Sequence, residues 1–181
     1  MTLTDSARQF ILHWGEMGTR WGVNRTVAQV HALLYLSPEP LTAEDIADTL
    51  SVARSNVSTS LKELQNWDLV QMDSRIGDRR DYFQTSADVW TLFLTVLDQR
   101  IEREIVPTLN MLRRCAIEAQ AERPAQRIVA FRISAMQVFL EDLLGWYSQM
   151  KKLPLATLRS LVSIGSGITR ILPKARRRRL D

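Results

Sequence analysis

The sequence predicts a mainly α-helical protein built around a winged helix-turn-helix, with a small β-hairpin wing and long C-terminal dimerisation helices. Apolar residues recur at three- and four-residue spacing over most of the chain, which is typical of amphipathic helices. Within residues 37–86, two short helical segments are joined by a tight turn, and short strand-like runs follow them between about residues 69 and 85. The order helix, turn, helix, hairpin is that of a winged helix.

The composition is that of a globular chain without a disulfide framework. The protein has 181 residues, of which 45% are hydrophobic and 24% charged, and it contains one cysteine. The first ten residues, MTLTDSARQF, contain no apolar leader, and no run reaches the ~18 uncharged apolar residues of a membrane span. We therefore expect a cytoplasmic protein with no membrane span.

The net charge of +4 comes entirely from residues 174–181, KARRRRLD, so residues 1–173 sum to zero. A basic tail of this kind binds phosphate, lies on an anionic membrane or is simply solvated. Solvation is the simplest of these alternatives, and the overall charge therefore says little about function.

Residues 1–36 are predicted to form two N-terminal helices that take part in dimerisation and pack on the long helix. The first spans residues 5–19, with Asp5 or Ser6 as its cap, and the second ends near Leu36.

Residues 37–86 form the predicted winged helix-turn-helix. Thr42 and Asp45 have the spacing of a capping box, which starts a short helix that runs to about Leu50. In the next helix an apolar stripe faces inward, and the polar side chains left outside suit contacts with base edges in a major groove. These candidate DNA-binding residues are Arg54, Ser55, Asn56, Ser58, Thr59 and Lys62. Ala53 stands where a capping Ser or Thr is usual, so either Ser51 or a nearby group substitutes as the cap, or the start of this helix is looser.

The predicted wing has strands over residues 69–75 and 81–85 around a turn that contains Gly77. Arg75, Arg79 and Arg80 cluster at this turn, where guanidinium groups can enter a minor groove or bind phosphates. Asp78 would repel DNA on its own, and we expect it to pair with a neighbouring arginine and fix its direction. A solvated charged turn is the plainer alternative.

Residues 87–153 are predicted to form long helices for dimerisation and effector binding. The first is expected to kink at Pro107. The apolar stripe of this first helix runs from Val89 to Leu112 and should pack on another helix or on a second subunit, and we favour a dimer. The helix after Pro124 also has an apolar stripe on one side. This stripe comprises Ile128, Phe131, Ala135, Phe139, Leu143 and Trp146. Residues 154–181 are expected to be an amphipathic segment and the basic tail.

Two segments, LLYLSPEPLTAEDIADTLSVARSNVSTSLKELQNWDLV and RIGDRRDYFQTS, resemble the MarR superfamily of winged-helix regulators, in particular its GbsR-like branch. The resemblance extends over about residues 10–110. It implies a homodimeric bacterial transcription factor, often a repressor, that binds a roughly palindromic operator. The family's wing pattern of acidic residue, any residue and arginine falls on Asp78, Arg79 and Arg80, which implies that Arg80 enters the groove and that Asp78 orients it.

Nothing in the sequence favours an enzyme, a cofactor or a metal site. His13 and His31 lie in no metal-ligand spacing, and a lone helical histidine is usually structural. Ser166 lies in GSG rather than in a GxSxG elbow. Cys115 has no defined histidine partner and is expected to be a buried apolar residue.

An effector site is predicted from aromatic residues of the N-terminal helices and the long helix. Their faces can hold a cationic ligand, and the GbsR-like resemblance implies choline or a related osmolyte metabolite. Ordinary core packing would explain the same residues. The residues are Trp14, Trp21, Tyr35 and Trp90.

We therefore predict a sequence-specific DNA-binding transcriptional regulator, a homodimeric repressor that binds operator DNA and responds to a small-molecule effector. The alternative is a winged-helix protein-interaction module that does not bind DNA.

Overall fold

The structure, a computed structural model, describes residues 2–120 and 127–171. Contacts divide the chain into an N-terminal unit, Met1–Ile101, and a C-terminal unit, Glu102–Asp181. The N-terminal unit contains α1 (Asp5–Arg20), α2 (Arg25–Leu36), β1 (Leu41–Thr42), α3 (Ala43–Leu50), α4 (Arg54–Asn66), β2 (Gln71–Ser74), β3 (Asp81–Gln84) and α5 (Val89–Arg100). A π-helical turn (Ile101–Ile105) precedes α6 (Val106–Gln120), α7 (Arg127–Lys151) and α8 (Leu155–Ile171). The predicted mainly helical winged-helix fold is confirmed.

The first two helices pack closely against each other. Thr4 caps α1 by accepting a hydrogen bond from the Ala7 N–H at 3.2 Å, so the expectation that Asp5 or Ser6 caps this helix was wrong. Gly18 lies where α1 touches α2, because a Cβ at this position would come within 2.5 Å of the Ala28 Cβ. The absence of a side chain at Gly18 is what lets the two helices approach this closely.

The predicted capping box at the start of α3 is confirmed. The Thr42 hydroxyl accepts the Asp45 N–H at 3.2 Å, and the Asp45 carboxylate accepts the Thr42 N–H at 3.0 Å. Bonds from the Thr42 hydroxyl and N–H lower the pKa of Asp45. Ser51, in the left-handed conformation, terminates α3, and α4 begins directly after Ala53 with no side-chain cap. The short turn holds α3 and α4 as the helix pair that the sequence predicts.

The sheet has three antiparallel strands in the order β1, β3, β2. The predicted hairpin is present, with Met72 opposite Phe83 and Ser74 opposite Asp81. The third strand was not predicted: in β1, Leu41 lies opposite Phe83 and Thr42 opposite Tyr82. The wing is therefore joined through β3 to the residue that caps α3.

The break in the long helix lies just before Pro107 and is a π-helical turn over Ile101–Ile105. A proline has no N–H, so an α-helical carbonyl four residues earlier, at Arg103, would lack its donor. In a π-helical turn the hydrogen bonds join groups five residues apart instead of four, which changes the hydrogen-bonding pattern around the carbonyl that the proline leaves without a donor. The kink expected at Pro107 stays a prediction, and the structure adds the π-helical turn that precedes this proline.

In the C-terminal unit, α6 and α7 pack through Leu109, Leu112 and Leu140. Arg113 of α6 also pairs with Glu141 of α7 at 2.9 Å. The predicted α7 stripe lies elsewhere on the helix and is exposed throughout, with Phe131 at 69% and Trp146 at 61%.

Cys115 is half-buried, with its Sγ 3.6 Å from the Met111 Sδ, so the expectation of a buried cysteine was wrong.

The segment after Pro154 forms α8 up to Ile171, and the basic tail lies outside the described residues. Of the helices in the described ranges, none combines the length and the apolar character needed to cross a bilayer.

Candidate nucleic-acid interface

One face of α4 is buried and the opposite face is exposed. Val57, Leu61 and Leu64 are 0%, 2% and 3% exposed and join the core of the N-terminal unit. Every α4 residue proposed to contact DNA is exposed, namely Arg54, Ser55, Asn56, Ser58, Thr59 and Lys62. The Thr59 hydroxyl donates to the Ser55 carbonyl at 3.0 Å, which leaves its oxygen as an acceptor. The α4 surface thus offers cations, amides and hydroxyls to a partner.

At the wing, Asp78 and Arg80 form a side-on ion pair. The Arg80 Nε donates to Oδ1 and Oδ2 of Asp78 at 3.0 and 3.1 Å, and Nη2 donates to Oδ2 at 2.7 Å. The backbone N–H of Arg80 also donates to Oδ1, at 3.0 Å. These bonds from Arg80 hold the pKa of Asp78 far below its ordinary value, and Asp78 in turn raises the pKa of Arg80. The predicted pairing is confirmed, while contact of these residues with DNA stays a prediction.

Tyr82 belongs to this network and was not among the predicted residues. Its hydroxyl donates to Asp78 Oδ2 at 2.7 Å and accepts from Arg80 Nη2 at 3.1 Å. The Arg75 guanidinium lies over its ring, 3.9 Å from the centroid. Residues two apart on a strand share a face, so the spacing of Arg80 and Tyr82 contained a signal for this contact.

Between α4, the start of α3 and the wing lies a groove of about 350 Å³. The predicted residues Arg54, Ser58, Lys62, Arg79 and Arg80 line it, together with Gln65, Met72 and Phe83, which were not predicted. The other predicted residues, Ser55, Asn56, Thr59, Arg75 and Asp78, lie on α4 and around the wing turn, outside this lining.

The positive charge of the N-terminal unit is concentrated at this groove. Residues 1–101 contain nine Lys and Arg against thirteen Asp and Glu. Five of those nine cations lie on α4 and around the wing turn: Arg54, Lys62, Arg75, Arg79 and Arg80. The same elements also contain four carboxylates, Glu63, Asp73, Asp78 and Asp81, and the groove lining includes Glu44 and Asp81. Five cations against four carboxylates leave α4 and the wing with a small positive charge within a unit that is negative overall.

Comparison with known proteins points to one family. Residues 21–81, from the turn after α1 to the start of β3, match the family model of the MarR family. This match, the relatives and the fold support a MarR-superfamily winged-helix regulator. The match covers α2, the helix pair and the wing up to the start of its second strand.

Two curated relatives of this chain are from Bacillus subtilis (strain 168). It is 23% identical over 142 residues to the "HTH-type transcriptional repressor GbsR", and this alignment covers 74% of this chain and 75% of the relative. It is 21% identical over 97 residues to the "Putative HTH-type transcriptional regulator YvaV", covering 53% and 55%. A solved structure described as a transcriptional regulator superposes with a TM-score of 0.55 at 21% identity, over 80% of this chain and 99% of that one. That structure supports the fold, and the family agrees with the prediction that the chain is not an enzyme.

The N-terminal unit also contains a small apolar cavity of about 100 Å³. Trp14 and Trp21, both predicted effector residues, line it with Trp67 and His31, which were not predicted for this site. Glu63 and Arg100 supply its charged groups, and Arg100 Nη2 donates to the Trp21 carbonyl at 2.9 Å.

The two remaining predicted effector residues lie outside this lining. The Tyr35 ring on α2 is 6.2 Å from that of Phe10, which stacks on Trp14 at 5.5 Å, and Trp90 lies in the first turn of α5. Within the described ranges no group of His, Cys, Asp and Glu is arranged to hold a metal ion.

Proposed function

We propose that this protein is a sequence-specific DNA-binding transcriptional repressor that acts as a homodimer and responds to a small-molecule effector. The observation that supports it most is the groove between α4 and the wing, which Arg54, Lys62, Arg79 and Arg80 line. Guanidinium and ammonium groups on an exposed helix and an adjacent hairpin suit phosphates and base edges of a duplex. The GbsR relative is named as a repressor, which supports repression rather than activation. We also propose that the protein acts in the cytoplasm, where the chromosome lies.

Operator binding is tested with the DNA upstream of the protein's own gene against a scrambled duplex at physiological salt. The double variant Arg79→Ala with Arg80→Ala should bind more weakly, and its salt slope should fall by about one for each phosphate that the protein no longer touches. Arg8→Ala with Arg20→Ala removes the same charge from α1 and should leave that slope unchanged. Equal binding of both duplexes by the wild type would refute sequence-specific recognition, and binding of neither duplex would favour the protein-interaction module.

Dimerisation is proposed to occur through the α7 stripe. Its residues are exposed although Ile133, Leu140 and Leu144 of the same helix pack with α6. Soluble proteins rarely expose a contiguous apolar surface of this kind without a partner. In a symmetric dimer the two α4 helices would enter successive major grooves about 34 Å apart.

The dimer is tested by measuring mass in solution by light scattering. Phe131→Glu with Phe139→Glu places carboxylates within the stripe and should yield monomers with much weaker operator binding. Ser148→Glu, an exposed position of α7 outside the stripe, is the matched control and should remain dimeric. A wild-type monomer, or a dimer that the double variant leaves intact, would contradict this part of the proposal.

For the effector we propose a choline-like cation that binds in the tryptophan-lined cavity. Tryptophan faces attract quaternary ammonium groups, and a cavity of ~150 Å³ in another protein holds benzene, so about 100 Å³ suits a trimethylammonium group. Choline chloride should change the tryptophan fluorescence of the wild type and weaken its operator binding, and Trp21→Leu should reduce both effects. Sodium chloride at equal ionic strength is the control, and an identical response to both salts would rule out this ligand.

A further inference from the structure

Tyr82 links the sheet of the N-terminal unit to the tip of the wing. It is 8% exposed and lies opposite Thr42 in the sheet, so the position of its ring is set by β3 and β1. Its hydroxyl nevertheless reaches Asp78, which lies in the turn between β2 and β3. Because the sheet fixes the position of Tyr82, the hydrogen bond from its hydroxyl to Asp78 also fixes the position of the otherwise exposed wing turn.

Two cationic side chains, Arg75 and Arg80, contact Tyr82. Arg75 lies flat over the Tyr82 ring, 3.9 Å from its centroid, and Arg80 donates to the Tyr82 hydroxyl at 3.1 Å. Arg80 uses Nε and Nη2 for Asp78 and Tyr82, so Nη1 is the amino group turned away from the carboxylate. Both arginines are exposed, and without these contacts each would sample many rotamers.

We infer that Tyr82 is a positioning residue that orders Arg75 and Arg80 as a pair and thereby makes the wing select duplexes with a narrow, A·T-rich minor groove beside the operator core. This inference rests on the proposed DNA binding. A narrow minor groove concentrates negative potential and attracts inserted arginines. Side chains that are ordered before binding lose less entropy when they enter it. Selection then acts on groove shape, at base pairs that no side chain reads directly.

The geometry separates the two contributions of Tyr82. Tyr82→Phe keeps the ring under Arg75 and removes both hydroxyl bonds, whereas Tyr82→Leu removes the ring as well. Loss of these two bonds to an exposed ion pair should weaken binding to A·T-flanked duplexes by roughly three- to tenfold, and the leucine variant should lose more. Binding to G·C-flanked duplexes with the same core should change little in either variant.

The test is selection of duplexes from a random library by the full chain, followed by affinities for the enriched core with A·T-rich or G·C-rich flanks. Wild type should enrich a core with A·T-rich flanks, and Tyr82→Phe should enrich the same core with relaxed flanks. Tyr147→Phe on α7 is the matched control and should behave as wild type. Thermal unfolding checks that the variants fold, and Arg75→Gln, an exposed change that leaves Tyr82 in place, gives a second measure of flank preference.

The outcomes separate this inference from the function on which it rests. If the wild type enriches no sequence, the proposed function fails and this inference fails with it. If the wild type enriches a core but Tyr82→Phe and Arg75→Gln retain its flank preference, only the role of Tyr82 is overturned. A uniform decrease in affinity on both flanks would also overturn it, because that result indicates a general phosphate contact.

Discussion

Lowering the pH should destabilise the N-terminal unit through one buried histidine. His31 is 8% exposed, and its Nε2 lies 3.3 Å from the Thr85 hydroxyl oxygen. That hydroxyl donates its single proton to the Leu69 carbonyl at 2.6 Å, so His31 must be the donor in the contact with Thr85. Burial lowers the pKa of His31 from 6.5 to about 4. The folded protein therefore keeps this imidazole neutral at pH values where the unfolded chain protonates it.

The size and sign of the effect follow from this difference in pKa. Between pH 6.5 and about 4 the unfolded state binds one more proton than the folded state, so the free energy of unfolding falls as the pH falls. At about 1.4 kcal/mol per pH unit, the loss accumulates to about 3 kcal/mol across this window. Above pH 6.5 the contribution is fully present, and below about pH 4 it is gone.

Urea unfolding at several pH values from about 7.5 to about 4.5 measures this contribution. His31→Gln keeps a side-chain donor and has no proton to gain, so its free energy of unfolding should depend less on pH than that of wild type. His13→Gln, at an exposed position of α1, is the control for the other histidine and should follow wild type. Carboxylates titrate in all three proteins and cancel in the difference. Parallel profiles for wild type and His31→Gln between about pH 6.5 and about pH 5 would refute the reasoning.

Three further changes should alter stability as measured by urea unfolding at neutral pH. Ala53→Ser supplies the missing cap of α4 and should stabilise by about 1 kcal/mol, and no gain would mean that water already satisfies these N–H groups well. Thr42→Val removes the hydroxyl from the capping box with Asp45 and should cost about 1 kcal/mol, whereas a neutral result would show that the box adds nothing. Gly18→Ala brings a methyl group to within 2.5 Å of the Ala28 Cβ and should cost about 1–3 kcal/mol, unless α1 can shift freely.

Features set by neighbouring residues could be predicted from the sequence. The capping box of Thr42 and Asp45 spans three positions, and the inward stripe of Val57, Leu61 and Leu64 follows the helical period. The pairing of Asp78 with Arg80 is equally local. In each case the partners are close in the chain, so their meeting requires no knowledge of the tertiary fold.

Features set by distant residues were missed. Strand β1 has only two residues, and it is a strand because Leu41 and Thr42 pair with β3, some forty positions later. Trp67 reaches the cavity in the same way: it follows α4 in sequence and meets Trp14 and Trp21 only after α1 and α4 have packed around α2. Short elements and cavity walls depend on tertiary packing, which local propensity does not contain.

The α7 stripe lies between these two cases. Its periodicity predicted both the helix and an apolar face, and the helix is confirmed. The pattern does not distinguish the face that packs within the chain from one that packs on a partner, because both are apolar. Leu140 lies on the face that is buried with α6, and Phe139, one position earlier, is exposed. A single helix thus has two apolar faces, and α6 covers only one of them.

The charge distribution explains how a unit with excess carboxylates can bind DNA selectively. At physiological ionic strength, charges are screened beyond about 8 Å, so a phosphate beside the groove responds mainly to the charged residues of its lining. These are four cations, Arg54, Lys62, Arg79 and Arg80, against two carboxylates, Glu44 and Asp81. Carboxylates on other faces act weakly at that distance, yet they repel a duplex that approaches in any other orientation. Affinity should therefore depend on a few side chains around one groove, and the remaining surface should suppress non-specific binding. For this reason removing two wing arginines should weaken operator binding far more than removing two arginines from α1.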